Sequence, residues 1–155
     1  MTVGRVVPVL NIIKDRSTNM YRVLITDDEK IEREGIKFLL AQEEGEYEIH
    51  EAANGRQALN VLRSEEIDFL LTDIKMPHMD GLELASKVRE EYPNLPIVIF
   101  SGYSDFAFAQ EAMRYGVKDY VLKPVDPDTF HTTIGKVKAE LQSIRSKKQK
   151  EEKGK

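Results

Sequence analysis

Residues 67–73 read Ile67-Asp68-Phe69-Leu70-Leu71-Thr72-Asp73. Apolar character is nearly continuous along this run, which is the pattern of a strand covered on both faces by other elements. A loop with Pro77, Asp80 and Gly81 follows the run directly. We therefore interpret residues 67–73 as a strand of a parallel sheet, with Asp73 at its carboxyl end.

Outward from this strand, short β-rich runs alternate with helical patterns in both directions. The other predicted strands are 21–27, 46–52, 96–101 and 119–123, and the predicted helices are 29–42, one capped by Asn54, 82–91, 105–115 and one beginning near Asp128. In the first predicted helix, the residues at helical spacing are Ile31, Gly35, Phe38 and Leu39.

This alternation predicts an α/β fold with a parallel sheet, because each parallel connection needs a crossover helix. Right-handed crossovers leave few possible topologies. We predict a doubly wound five-stranded parallel sheet in the flavodoxin-like order 2-1-3-4-5, with helices on both faces. In such sheets, ligands bind beyond the carboxyl ends of the strands.

The bulk composition excludes several classes of protein. The chain of 155 residues has no Cys, so disulfides and thiolate metal sites are excluded, and no apolar run approaches the roughly 20 residues of a membrane span. Net charge is −4, but residues 136–155 hold eight Lys or Arg and three Glu, so the remainder carries −9. An acidic body argues against direct nucleic-acid binding. We expect a cytoplasmic protein.

Polar residues occupy the predicted strand ends. The first strand ends in Asp27 and Asp28, the third in Asp73, the fourth in Ser101 and the fifth in Lys123. Three carboxylates in one cleft repel one another, so positive charge should balance them. Lys123 supplies one charge, and a hard divalent cation such as Mg²⁺ could supply the rest through oxygen ligands.

These residue types together satisfy the needs of phosphoryl transfer. A carboxylate can attack phosphorus and form an aspartyl phosphate. The reaction otherwise requires alignment and neutralisation of charge on the phosphoryl oxygens. Lys123, a metal ion and the Ser101 hydroxyl with nearby backbone N–H groups would each contact one oxygen.

Each residue also has an ordinary structural interpretation when taken alone. Asp27 and Asp28 could be an N-cap pair, Ser101 could start a turn, and Tyr120 could be a core aromatic. The complete set at the strand ends favours the functional interpretation.

Four segments carry a family resemblance, and they are 23–29, 72–81, 101–103 and 119–124. Together the segments resemble the response-regulator receiver domains of bacterial two-component systems, over roughly residues 21–140. The resemblance implies that Asp73 is the phosphoacceptor and that Lys123 pairs with the phosphoryl group. It also implies a cis peptide between Lys123 and Pro124.

The resemblance further implies a metal site for Mg²⁺ or Mn²⁺ and a conformational switch. Asp28 would bind the metal directly, Asp27 largely through water, and the backbone carbonyl of Lys75 would complete the site with Asp73. Ser101 would be the switch hydroxyl, and Tyr120 would be the aromatic that changes rotamer with it.

The segments 101–106 and 122–125 are similar to the subgroup usually fused to an AraC-type DNA-binding domain. We therefore favour a piece of a longer transcription regulator over a receiver that stands alone. The expected parts are an N-terminal extension of unknown role (1–20), a receiver domain (21–140) and a charged helical linker or tail (141–155). The expected partners are a sensor histidine kinase and a second copy, through the face of the fourth helix, fifth strand and fifth helix. DNA would be reached only through the missing output domain, and no membrane contact is expected.

Two other functions remain open from the residues alone. Phosphohydrolases that resemble haloacid dehalogenases also use an aspartyl phosphate, but their Asp-x-Asp pattern is absent from the first strand end. A degenerate receiver would serve only as an interaction module. We expect no enzyme turnover beyond self-phosphotransfer and slow autodephosphorylation.

Overall fold

In a computed structural model, which describes residues 19–102 and 106–153, five strands form one parallel sheet in the order β2-β1-β3-β4-β5. The strands are β1 (Met20–Thr26), β2 (Glu46–Ala52), β3 (Phe69–Asp73), β4 (Ile97–Ser101) and β5 (Asp119–Leu122). The fold class and strand order predicted from the sequence are confirmed.

Five helices connect and follow the strands. They are α1 (Lys30–Ala41), α2 (Gly55–Ser64), α3 (Gly81–Glu91), α4 (Phe106–Arg114) and α5 (Pro127–Lys153). Asn54 caps α2 as predicted, because its side chain accepts a hydrogen bond from the Gln57 N–H at 2.9 Å. Asp80 caps α3 by the same contact with the Glu83 N–H, at 2.8 Å.

The sheet separates two apolar cores, as a doubly wound fold requires. Leu24 and Leu70 point from the sheet toward the core under α2, α3 and α4. Ile25 and Leu71 point to the opposite core, which Leu40 of α1 and several residues of α5 complete. Both faces of the central strands are therefore buried, which explains their continuous apolar sequence.

Helix α1 differs from the pattern seen in the sequence. Ile31 and Phe38 are two of the residues at helical spacing in the sequence, yet their exposed fractions are 77% and 68%. The core side of α1 is formed instead by Leu40, with partly buried Ile36 and Leu39. The sequence predicted a helix here, and the structure decides which side of that helix faces the core.

Helix α5 runs through residue 140, where the predicted receiver domain ends and the predicted helical linker or tail begins. Leu141 is buried in the core under α1 and α5. Further along, Arg145 donates a hydrogen bond from Nη2 to the Met20 carbonyl at 2.8 Å, and its guanidinium lies 4.7 Å from the Tyr21 ring centroid. The packed body thus includes Met20 and reaches Arg145, and the predicted extension falls almost entirely outside the described residues.

None of the described helices has the length and apolar character needed to cross a membrane.

Candidate functional site

The carboxyl ends of β1 and β3 bring three carboxylates together. One oxygen from each of Asp27, Asp28 and Asp73 lies within 4.8 Å of the others. Asp27 and Asp28 follow the last residue of β1, and Asp73 is the last residue of β3. Parallel pairing of β1 with β3 at Thr26 and Thr72 causes this convergence. The predicted acidic cluster is therefore present.

Asp27 is held firmly at the end of β1. Its backbone N–H donates to the Ala52 carbonyl at 3.1 Å, and its Oδ1 accepts from the Glu29 N–H at 2.9 Å. Burial, together with repulsion from Asp73, raises the pKa of Asp27 from 3.8 to about 6. A buried carboxylate whose charge is disfavoured in this way would be stabilised by a nearby cation.

Asp73 is half-buried beside the same cluster. Burial raises its pKa, and the charge of Asp28 adds to this effect, although Lys123 opposes it. Three oxygen donors in a partly desolvated cleft fit Mg²⁺ or Mn²⁺, which are hard cations that prefer carboxylate ligands. Asp27, Asp28 and Asp73 are therefore the side chains that could hold such an ion.

Lys123 reaches the cluster from the end of β5. Its Nζ lies 3.1 Å from Asp73 Oδ1 and 3.4 Å from Asp27 Oδ2. Its backbone N–H donates to the Ser101 carbonyl at 2.7 Å, and the Lys123–Pro124 peptide is cis, as the resemblance implied. The predicted pairing of this ammonium with the acidic residues is present.

The loop between β3 and α3 closes tightly over the Asp73 backbone. The Gly81 N–H donates to the Ile74 carbonyl at 2.7 Å. A Cβ added at Gly81 would overlap the carbonyl oxygen of Asp73. His78 in the same loop has a φ of 71°, a left-handed conformation that few non-glycine residues adopt. The loop geometry therefore positions both Asp73 and the residues that follow it.

The other predicted residues surround this centre. Ser101 is fully buried at the end of β4, one residue beyond Phe100, the pairing partner of Asp73. Tyr120 is partly buried on β5 and packs against the core under α2, α3 and α4. The Lys75 ammonium lies 5.1 Å from the centroid of the Phe108 ring. Tyr103, in the segment 101–103 that carries the family resemblance, lies outside the described residues.

Two residues of α1 belong to the site although sequence reasoning missed them. Glu32 Oε1 lies 2.9 Å from Lys123 Nζ. Arg33 donates from Nη1 to the Asp27 carbonyl at 2.7 Å, and its Nε donates to Glu51 Oε1 at 2.9 Å. The sequence could have indicated these two residues, because both lie near the start of the helix that follows β1. Residues in that part of the helix lie close to the carboxyl ends of the strands.

The fold and this acidic site define a class of protein. The family model for the response regulator receiver domain matches residues 23–135. The chain therefore belongs to the response regulator receiver family, as its motifs indicated.

Curated relatives are longer than this chain. YesN of Bacillus subtilis, described as an uncharacterized transcriptional regulatory protein, is 38% identical over 132 residues, which are 83% of this chain and 36% of YesN. The regulatory protein AtoC of Escherichia coli is 34% identical over 128 residues, which are 83% of this chain and 27% of AtoC. The chain thus spans about a third of the length of these two relatives.

Solved receiver domains have the same fold. The REC domain of AraT, a response regulator from Geobacillus stearothermophilus, is 40% identical with a TM-score of 0.72, covering 81% of this chain and 98% of that one. The response regulator TrrA of Thermotoga maritima, solved in complex with Mg²⁺ and BeF, is 32% identical with a TM-score of 0.68, covering 76% of this chain and 99% of that one.

Proposed function

We propose that Asp73 accepts a phosphoryl group from the phosphohistidine of a sensor histidine kinase, in a reaction that requires Mg²⁺ or Mn²⁺. The observation that carries this proposal is the contact between the Lys123 ammonium and Asp73, 3.1 Å apart, beside the three clustered carboxylates. The complex of the relative TrrA with Mg²⁺ and BeF supports it.

The chain's own groups account for most of the transfer. A carboxylate oxygen of Asp73 attacks phosphorus, the P–N bond breaks, and the imidazole of the donor leaves with the electron pair. Lys123 donates a hydrogen bond to one phosphoryl oxygen, and the Ser101 hydroxyl donates to another. Asp27, Asp28, Asp73 and the Lys75 carbonyl would hold the metal, which would supply positive charge to balance that of the phosphoryl group.

The product is a conformational state rather than a released chemical. The phosphoryl group draws Ser101 inward, Tyr120 follows, and an existing equilibrium at the face of α4, β5 and α5 shifts. The output is a homodimer and, through an AraC-type DNA-binding domain beyond this chain, control of transcription in the cytoplasm. The descriptions of YesN and AtoC as regulatory proteins support this output.

The test is incubation with acetyl phosphate and Mg²⁺, followed by intact mass. Wild-type protein is expected to gain one phosphoryl group, and chelation of the metal with EDTA should prevent the gain. Asp73→Asn should remain unmodified, whereas Asp128→Asn, an equivalent change at an exposed aspartate in α5, should be modified like wild type.

Other results would exclude the proposal. Unmodified wild-type protein, or modification that persists in Asp73→Asn, would indicate a degenerate receiver that acts as an interaction module. Repeated hydrolysis of a generic phosphate ester would indicate a phosphohydrolase, because a receiver should show almost no turnover on such a substrate.

A further inference from the structure

Glu32 is a third carboxylate at the Lys123 ammonium, in addition to Asp73 and Asp27. Its 2.9 Å contact with Nζ is shorter than the contacts of Asp73 and Asp27, at 3.1 Å and 3.4 Å. The Glu32 side chain is 40% exposed, whereas those of Asp27 and Asp73 are 7% and 11% exposed. Lys123 is therefore shared between two acidic partners with little exposed side chain and one that is much more exposed to solvent.

An ammonium has three N–H donors and no acceptor. Because three carboxylates face Lys123, its donors are fully engaged in the resting site. To donate to a phosphoryl oxygen, Lys123 must weaken or leave one of them. Asp27 and Asp73 belong to the cluster of three carboxylates that could hold a metal ion. Among the described residues, that cluster does not include Glu32. Glu32 is thus the partner whose loss leaves that cluster intact.

We propose that Glu32 is a positioning residue that holds Lys123 in the resting site and competes with the phosphoryl group for its ammonium. This inference rests on the proposed function of Asp73. Burial alone would lower the pKa of Lys123, yet the hydrogen bonds to Glu32 and Asp73 outweigh burial and raise it. Lys123 therefore remains an ammonium throughout the neutral range.

The charge of Glu32 acts in opposite directions on the two ionic ligands of the site. It repels the phosphoryl donor, which is an anion, and attracts the divalent cation. Glu32→Gln removes this charge with little change in side-chain shape. The variant should therefore be phosphorylated faster at saturating Mg²⁺ but bind Mg²⁺ more weakly, and loss of structure alone would not produce this pair of opposite changes.

The chain offers a matched control in Glu34→Gln. Glu34 lies on the same helix and also contacts a lysine at 2.9 Å, but that lysine is Lys37 rather than Lys123. With acetyl phosphate at saturating Mg²⁺, E32Q should be labelled roughly two- to fivefold faster than wild type, and its Kd for Mg²⁺ should rise by a similar factor. E34Q should match wild type in both measurements.

The Lys123 ammonium provides a readout that needs no phosphorylation. Its side-chain ¹⁵N resonance should shift and its N–H protons should exchange faster with water in E32Q, and neither should change in E34Q. An unchanged Lys123 resonance in E32Q, or rate and Mg²⁺ affinity changing in the same direction, would overturn the inference.

The two proposals fail in different ways. If the wild type is labelled and E32Q is labelled at the rate of E34Q, the competition for Lys123 is wrong and the phosphoacceptor role stands. If the wild type takes up no phosphoryl group under conditions in which it binds Mg²⁺, the proposed function is wrong. The proposed competition of Glu32 for Lys123 is then wrong as well.

Discussion

Asp27 is a buried carboxylate whose charge destabilises the metal-free fold. Its folded pKa of about 6 lies above the ordinary value of 3.8, so the folded state keeps a proton that the unfolded chain has lost. The stability that Asp27 contributes is therefore fully present below about pH 4 and is lost as the pH rises through about 6. Each pKa unit corresponds to about 1.4 kcal/mol.

We predict that Asp27→Asn stabilises the metal-free protein above pH 6. The amide can still accept the hydrogen bond from the Glu29 N–H but carries no charge. Urea unfolding in EDTA should show an advantage over wild type of on the order of 2 kcal/mol at pH 7.5, vanishing near pH 4. A difference in unfolding free energy that stays constant with pH would contradict the raised pKa of Asp27. Added Mg²⁺ should stabilise the wild type more than the variant.

Glu32 shows how a single residue can belong to a site without belonging to its motif. The contact with Lys123 exists because the first turn of α1 lies above the ends of β1 and β3. Its neighbour Arg33 uses the same position to hold the Asp27 carbonyl. The start of α1 therefore contributes to the charge balance of the site as well as to its framework.

Helix α3 can begin only with a residue that has no side chain, because its start lies against the backbone of Asp73. Its first residue, Gly81, packs against the Asp73 carbonyl, where a Cβ would overlap the backbone. Gly35 in α1 has no neighbour within 4 Å of the position of an added Cβ. Close approach of the Asp73 backbone therefore requires glycine at position 81. Packing places no such requirement on position 35.

We predict opposite effects of alanine at these two positions. Gly81→Ala should destabilise the protein by about 1–3 kcal/mol and slow phosphorylation of Asp73, because the loop after β3 must shift. Gly35→Ala should stabilise it by about 0.5–1 kcal/mol through helix propensity, with no change in phosphorylation. Denaturant unfolding and the acetyl phosphate assay measure both. Equal stabilities of the two variants would show that α3 does not approach Asp73 as closely as described.

In the described part of the chain, five of the six exposed large apolar side chains lie on two surfaces, and the sixth is Ile144 of α5. Phe106 and Met113 of α4, with Leu122 of β5, lie on the face proposed for dimerisation. Ile31 and Phe38 form a separate patch on α1. Exposed apolar side chains favour association where a partner covers them. Because the two surfaces lie on different elements, a substitution on each can test its role in dimerisation separately.

We predict that Mg²⁺ with beryllofluoride converts the wild-type chain to a dimer through the α4 and β5 face. Met113→Glu should remain monomeric in sedimentation equilibrium while still accepting a phosphoryl group, because a charge is costly at an apolar interface. Phe38→Glu places the same charge on α1 and should dimerise like wild type. Dimerisation of Met113→Glu with wild-type affinity would place the interface elsewhere.

The order of elements and the residues at the strand ends could be predicted from the sequence alone. Apolar runs such as 67–73 report burial on both faces, and side chains such as Asn54 mark a helix start. The cluster of Asp27, Asp28 and Asp73 followed from topology, since parallel strands end at the same edge of a sheet. These features depend on local periodicity and chain order, which the sequence carries directly.

Only the tertiary structure decided which face of α1 meets the sheet and which carboxylates share Lys123. A helical period specifies spacing but not rotation about the axis, and that rotation comes from packing against β1 and β2. The rotation exposes Ile31 and Phe38 and brings Glu32 to the ammonium. Contacts between residues so distant in sequence depend on the packed arrangement of the elements, and no short stretch of chain encodes them.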